Sequence, residues 1–196
     1  ILNDRGGDDL DRVQFAKVDW MPELEGKTLK YWCQLNGLTP SVENGAELVI
    51  KAQTMGGASC VFHAMDEGDV INIMKHPQTM IASDGRLVKL GEGHPHPRWY
   101  GTFPRVLGKY VREEGVLSLE EALYKMTAFP AQIMGLENRG RIEEGMKANI
   151  TIFDPKTIID MATFEEPHKY SKGIQYVLVN GKLAVDETVF MPIKSG

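Results

Sequence analysis

Behind Gly56-Gly57 lies the apolar run Ala58 to Met65, then a helically spaced stretch from Asp66 to Lys75. A second apolar run, Thr79 to Ala82, follows and stops at Ser83-Asp84-Gly85. Strand, helix, strand at this spacing reads as a βαβ unit, which makes the two strands parallel. Val61, Phe62, Met80 and Ile81 leave both strand faces apolar, and such strands need cover on both sides. Val70, Ile71, Ile73 and Met74 give the helix its buried stripe, Asp66 is a candidate N-cap and Pro77 ends it. The segment therefore places the chain in the α/β class.

The flanking sequence divides into two textures. Before residue 140 it is mostly helical. Lys27 to Asn36 carries helix formers ending at Gly37, and Asn44 to Thr54 repeats the pattern. Only Val13 to Val18 alternates as a half-buried strand. A loop from Arg86 to Tyr100, rich in Gly, Pro and His, leads into a helix over about Phe103 to Glu113. Ser118 and Glu121 form a capping box for the next helix, which runs toward Phe129-Pro130 and restarts through Met134. After residue 140, Ala148 to Phe153 and Ile174 to Val179 read as strands. Asn180-Gly181 is a strong hairpin signal, answered by Leu183 to Val185.

The 196 residues, 42% hydrophobic and 25% charged, suit one average domain or a larger and a smaller unit. A net charge of −5 gives no reason to expect a nucleic-acid or anionic-membrane partner, since both need a basic face. No apolar run approaches the roughly 20 residues of a membrane span. Cys33 and Cys60 are too few for a disulfide framework or a thiolate zinc site, which favours a reducing, cytoplasmic compartment. Ile1-Leu2-Asn3-Asp4-Arg5 has neither an initiator Met nor a signal-peptide core, so a longer polypeptide is expected and targeting is not legible.

Chemistry concentrates at Ser83-Asp84-Gly85. A carboxylate at the C-terminal end of a parallel strand stands where α/β proteins build active sites. The following loop carries His94, His96, Arg98 and Tyr100. The competing reading is that Asp84 begins a turn and the loop is solvated. His63 reads as a satisfied core histidine or one pointing inward, and His76 and His168 as surface or loop residues. His94 reads as a loop residue peculiar to this sequence. His96 and Arg98 lie close to the candidate site in sequence without an assigned role.

The stretch Thr79-Met80-Ile81-Ala82-Ser83-Asp84-Gly85, followed by His96-Pro97-Arg98-Trp99-Tyr100-Gly101-Thr102-Phe103-Pro104-Arg105-Val106-Leu107-Gly108, resembles the N-acyl-D-amino-acid deacylase (D-aminoacylase) family of amidohydrolases. The likeness continues through Leu117 to Ala122, Lys125-Met126-Thr127, Pro130-Ala131, Arg139 to Ile142, Phe153-Asp154-Pro155 and Val177 to Gly181. Upstream, Pro22 to Leu29 and Met65 to Val70 also fit, so nearly all of Pro22 to Val185 is covered. Lys147-Ala148-Asn149 departs from the family's usual Ala-Asp before a strand, at a structural position. The sequon Asn149-Ile150-Thr151 falls in an expected strand and is set aside.

The resemblance implies the C-terminal portion of a (β/α)8 TIM barrel over residues 1–140, with 1–56 an inserted segment near the active-site mouth. Residues 141–196 become the C-terminal share of a small β-sandwich. Ala58 to Met65 would be the seventh barrel strand and Thr79 to Ser83 the eighth, side by side and parallel, with Met65 and Asp84 on one edge. Asp84 then matches the family's general acid/base and a second-site metal ligand, and Met65 lines the substrate pocket. A zinc ion lowers the pKa of its bound water, and a carboxylate takes the proton as hydroxide attacks the amide. The family's other metal ligands find no match in this chain, and Asp84 alone cannot hold zinc.

The implied activity is zinc-dependent hydrolysis of a small N-acyl-D-amino acid to a carboxylate and a D-amino acid, in the intact enzyme. The acyl group and side chain preferred stay open. The rivals are another amidohydrolase, dihydropyrimidinase- or dipeptidase-like, and a non-catalytic fragment. Two barrel strands cannot close a barrel, so the separate piece is expected to expose apolar surface and self-associate.

Overall fold

The structure, a computed structural model, describes residues 8–193, so Ile1 to Arg5 lie outside the described residues. The chain folds as two compact units, each assembled from separate stretches. Of the described residues, the first comprises 8–67, 86–99 and 163–168, and the second 68–85, 100–162 and 169–193.

In the first unit, strand β1 (Val13–Lys17) pairs antiparallel with β2 (Ser59–Phe62), setting Val13 opposite Phe62 and Gln14 opposite Val61. Helix α1 (Leu29–Leu35) starts at Thr28, whose hydroxyl accepts from Tyr31 N–H, and α2 (Val42–Thr54) starts at Ser41 in the same way. These short polar caps satisfy donors that the first helical turn leaves unpaired. The core holds Leu10, Val13, Phe15, Val18, Leu24, Leu29, Trp32, Cys33, Leu48 and Ala52. Trp32 anchors it, with Phe15 edge-on at 5.6 Å and Trp20 tilted at 5.4 Å. Fully burying side chains such as Val18, Leu24 and Leu29 stabilises by about 1.5–3 kcal/mol each.

In the second unit, α4 (Arg98–Arg105) runs into a π-helical stretch, Val106–Glu113, where Glu114 N–H donates to Lys109 O five residues back. Pro104 has no N–H to give, which interrupts the α-helical ladder just before this change of winding. Helices α5 (Leu119–Met126) and α6 (Ala128–Ile133) follow, and Ser118 Oγ accepts from Glu121 N–H to cap α5 as expected. Val106, Leu107, Tyr110, Leu117, Ala122 and Ile158 form the core, flanked by Val70, Ile71 and Met74 of α3 (Glu67–Lys75). Four antiparallel strands complete the unit in the order β3 (Ile150–Phe153), β4 (Ile174–Val179), β5 (Lys182–Asp186), β6 (Val189–Phe190). Asn180 (φ +49°) and Gly181 (φ +77°) make the β4–β5 hairpin, both in the left-handed region a type I′ turn requires.

One expectation needs correcting. The parallel pair is not formed: β2 pairs antiparallel with β1, and residues 79–83 carry no strand. An extended segment becomes a strand only with a ladder partner, and here Ile81 N–H donates instead to Lys125 O of helix α5 (3.1 Å). The change of texture near residue 140 falls inside the second unit, where helices α4 to α6 give way to strands β3 to β6. The loop after β3 is latched to the helices by Arg105 Nη1 on Asp160 Oδ2 (3.0 Å) and by Arg112 Nη1 on Ile158 O.

Candidate active site

Residues Thr79 to Gly85 carry the carboxylate singled out by sequence. They are held from one side by helix α5. Lys125, only 2% exposed, sends its ammonium to His76 O and Thr79 O, while its own carbonyl accepts from Ile81 N–H. Ile81 packs onto the second unit's core, and Ser83 Oγ accepts from Gly85 N–H at 3.2 Å. Between these points Asp84 sits at φ +46°, a left-handed conformation that Asp and Asn tolerate better than other non-glycine residues. Its carboxylate is exposed. This arrangement places an exposed aspartate on a turn held from behind by helix α5.

Met65, in the first unit, is 69% exposed just beyond β2 and is not buried as gap-filling core. Asp84 belongs to the second unit.

His63, His94, His96 and His168 belong to the first unit. Gln14, 8% exposed, donates to Gly26 O (3.1 Å) and Phe164 O (3.2 Å), while its Oε1 lies 3.2 Å from His63 Nε2. His94, a loop residue by sequence, is tied into the fold: its backbone N–H donates to Ala16 O at 2.7 Å and its Nε2 reaches Phe164 O. A carbonyl only accepts, so His94 Nε2 carries the proton. Its 3.4 Å approach to Gln14 Nε2 then sets two donors face to face and is not a bond. The His94 ring also fills the space over Gly26, where a Cβ would stand 2.8 Å from Nδ1. His63 and His96 stand edge-on to Phe164 at 4.5 and 5.0 Å, and His96 Nδ1 accepts from Arg98 N–H at the start of α4. His168 accepts from Gly91 N–H and donates to Gly93 O, and His76 is exposed.

No three His, Cys, Asp or Glu side chains among the described residues are grouped to hold a metal ion. Burial pushes the Cys60 thiol up to about 11. Alkylation of Cys60 at pH 8 should therefore run roughly 10²-fold slower than for an ordinary thiol, because the thiolate is the nucleophile. Mass-spectrometric kinetics with iodoacetamide would check this, and labelling at the ordinary rate would contradict it.

A family model described as the amidohydrolase family matches residues 45–185. The chain belongs to the amidohydrolase family. The chain is 45% identical over 174 residues to an N-acyl-D-glutamate deacylase of Alcaligenes xylosoxydans xylosoxydans, covering 87% of this chain and 33% of that protein. It is 39% identical over 174 residues to a D-aminoacylase of the same organism, covering 85% and 35%. It thus spans about a third of the length of these relatives. Among solved structures it resembles a D-aminoacylase with a TM-score of 0.83 and 36% identity, over 94% of this chain and 37% of that one. It also resembles the N-acyl-D-glutamate deacylase of Bordetella bronchiseptica, solved with zinc and a phosphonate mimic of the tetrahedral intermediate. There the TM-score is 0.77 and the identity 37%, over 90% of this chain and 35% of that one. This amidohydrolase chain is mixed α/β and shares the D-aminoacylase fold over the matched part.

Sequence reasoning missed two features. Lys125 falls on the buried face of α5, three residues after the fully buried Ala122, and a lysine at that register was a readable signal. Gln14 lies in an alternating strand with nothing local to mark it, because its partners come from three distant stretches.

Proposed function

We propose that this chain is part of a zinc-dependent deacylase that hydrolyses small N-acyl-D-amino acids to a carboxylate and a D-amino acid. The observation that carries the reading is the 45% identity over 174 residues to an N-acyl-D-glutamate deacylase. On this reading, residues 1–140 belong to the last part of a (β/α)8 barrel, 1–56 border its mouth, and 141–196 join a small β-sandwich. The TM-score of 0.83 to D-aminoacylase supports that architecture, while the antiparallel β1–β2 pair argues against counting β2 and residues 79–83 as adjacent parallel strands.

Asp84 is assigned the general acid/base role. Its carboxylate takes a proton from the attacking water as the water oxygen adds to the amide carbon. The same group returns the proton to nitrogen as the C–N bond breaks, leaving a carboxylate and an amine. Met65 is assigned to the substrate pocket, where an exposed flexible thioether adapts to an acyl or side-chain group. Zinc enters through the relatives. The described residues of this chain do not assemble a metal site, Asp84 being at most one donor, so no step here is routed through the metal. We place the enzyme in the cytoplasm.

The test is to assay the intact enzyme carrying this chain against matched N-acyl-D- and N-acyl-L-amino acids, before and after chelation. Hydrolysis of the D series alone, abolished by chelation and restored by zinc, is the expected result. Equal turnover of both series, or of cyclic amides only, would overturn the reading. For the separate 196-residue chain we expect no deacylase activity with zinc added, and association by light scattering through exposed residues such as Met65, Leu87 and Met80. A monodisperse, zinc-activated monomer would contradict this.

A further inference from the structure

We propose that Lys125 is a positioning residue for Asp84, acting through the backbone of residues 76–81. The inference rests on the proposed role of Asp84. At 2% exposure an ammonium is costly to keep, and an apolar side chain would fill the same volume beside Ala122 without that cost. The charge does what an apolar group cannot. It binds His76 O at the end of α3 and Thr79 O (3.0 Å), one turn of backbone apart, and the Lys125 carbonyl takes Ile81 N–H (3.1 Å).

Those three bonds replace the ladder that residues 79–83 lack. Asp84 is three residues beyond Ile81, at a left-handed φ, inside the turn in which the Ser83 hydroxyl accepts from Gly85 N–H. Lys125 itself stands on a helix whose N-terminus is capped by Ser118 and whose Ala122 is fully buried. The carboxylate is thus referenced to helix α5 through one side chain and one carbonyl. Releasing them loosens the backbone that sets the place of Asp84, and a misplacement of about 1 Å can cost on the order of 10²-fold in rate.

The experiment uses the intact enzyme with Lys125→Met, Lys125→Arg and Asp84→Asn, read by kcat, KM, melting temperature and amide hydrogen exchange. Lys125→Met removes a buried charge for an apolar group of similar length but leaves two carbonyls without their donor, so the melting temperature should fall modestly. Exchange over residues 79–85 should rise at least about 10-fold, kcat should fall about 10- to 10²-fold, and KM should shift by less than about threefold. Lys125→Arg, which keeps the donors, should recover part of the protection and part of kcat.

Unchanged exchange at residues 79–85 would overturn the proposal. So would a loosened segment with full kcat while Asp84→Asn is inactive. If Asp84→Asn is fully active, the catalytic reading of Asp84 fails instead, and with it the purpose assigned to the clamp, although exchange still reports whether the clamp exists. Should Lys125→Met fail to fold, Lys125→Arg decides. Recovered protection with recovered kcat supports the proposal, and a loosened segment with full kcat rejects it.

Discussion

Asp84→Asn in the intact enzyme is expected to fold normally and to lose about 10²–10⁴-fold in kcat, the usual worth of a general acid–base group. The substitution keeps the shape of the side chain and removes its basicity, so the amide cannot take the proton of the attacking water. The backbone should not object. Asp84 lies at φ +46°, and Asn is among the residues that enter this region most readily. Asp84→Ala would add a conformational cost to the chemical one, so the two variants should share a low kcat and differ in melting temperature. Metal content measured alongside separates lost proton transfer from a lost ligand. Turnover close to wild type at saturating metal would remove Asp84 from the mechanism.

Gly173→Ala is expected to destabilise by about 3 kcal/mol or more, combining left-handed strain with overpacking. Gly173 has φ +87°, and a Cβ there would stand 2.5 Å from both Cα and N of Ile158. Those are backbone atoms of a residue that is 2% exposed, so they have no rotamer by which to retreat. Gly173 O also accepts from Asp154 N–H at 2.9 Å, which ties the entry of β4 to the loop after β3. Thermal denaturation of the variant, with Gly145→Ala as a control, measures the effect. Gly145 has the same sign of φ (+86°) but no neighbour within 4 Å of a built Cβ, so it should show the strain without the clash. Equal losses in the two variants would refute the packing argument.

What could be read in advance was whatever is written locally. Gly37 at φ +71°, Ser118 as a cap and Asn180-Gly181 as a hairpin act through neighbours a few residues away, and each stands where the sequence placed it. Residues 79–82 misled because an apolar run reports burial and extension but not pairing. Ile81 is packed as its character demands, yet its N–H belongs to a helix. His94 misled for the opposite reason: a histidine between glycine and proline looks like loop, while its partners Ala16, Gly26 and Phe164 lie far off in the sequence. The β6 strand is two residues long and had no period to read. At the candidate site, Asp84 was legible as a residue type before a glycine. The support from Lys125 was not, because 41 positions separate the two along the chain.

The bond from Gln14 to Phe164 spans 150 positions, and it fixes the order in which this part of the chain can be finished on a ribosome. The strands, helices and tryptophan pair of residues 8–67 can collapse early. Their buried glutamine, however, lacks the Phe164 carbonyl to complete its bonding until far more chain has emerged. At bacterial or eukaryotic synthesis speeds that interval is roughly 8–30 s, long compared with collapse. Throughout it, a polar side chain destined for burial stays hydrated. The polar core of the first unit is therefore completed only after residue 164 has been synthesised.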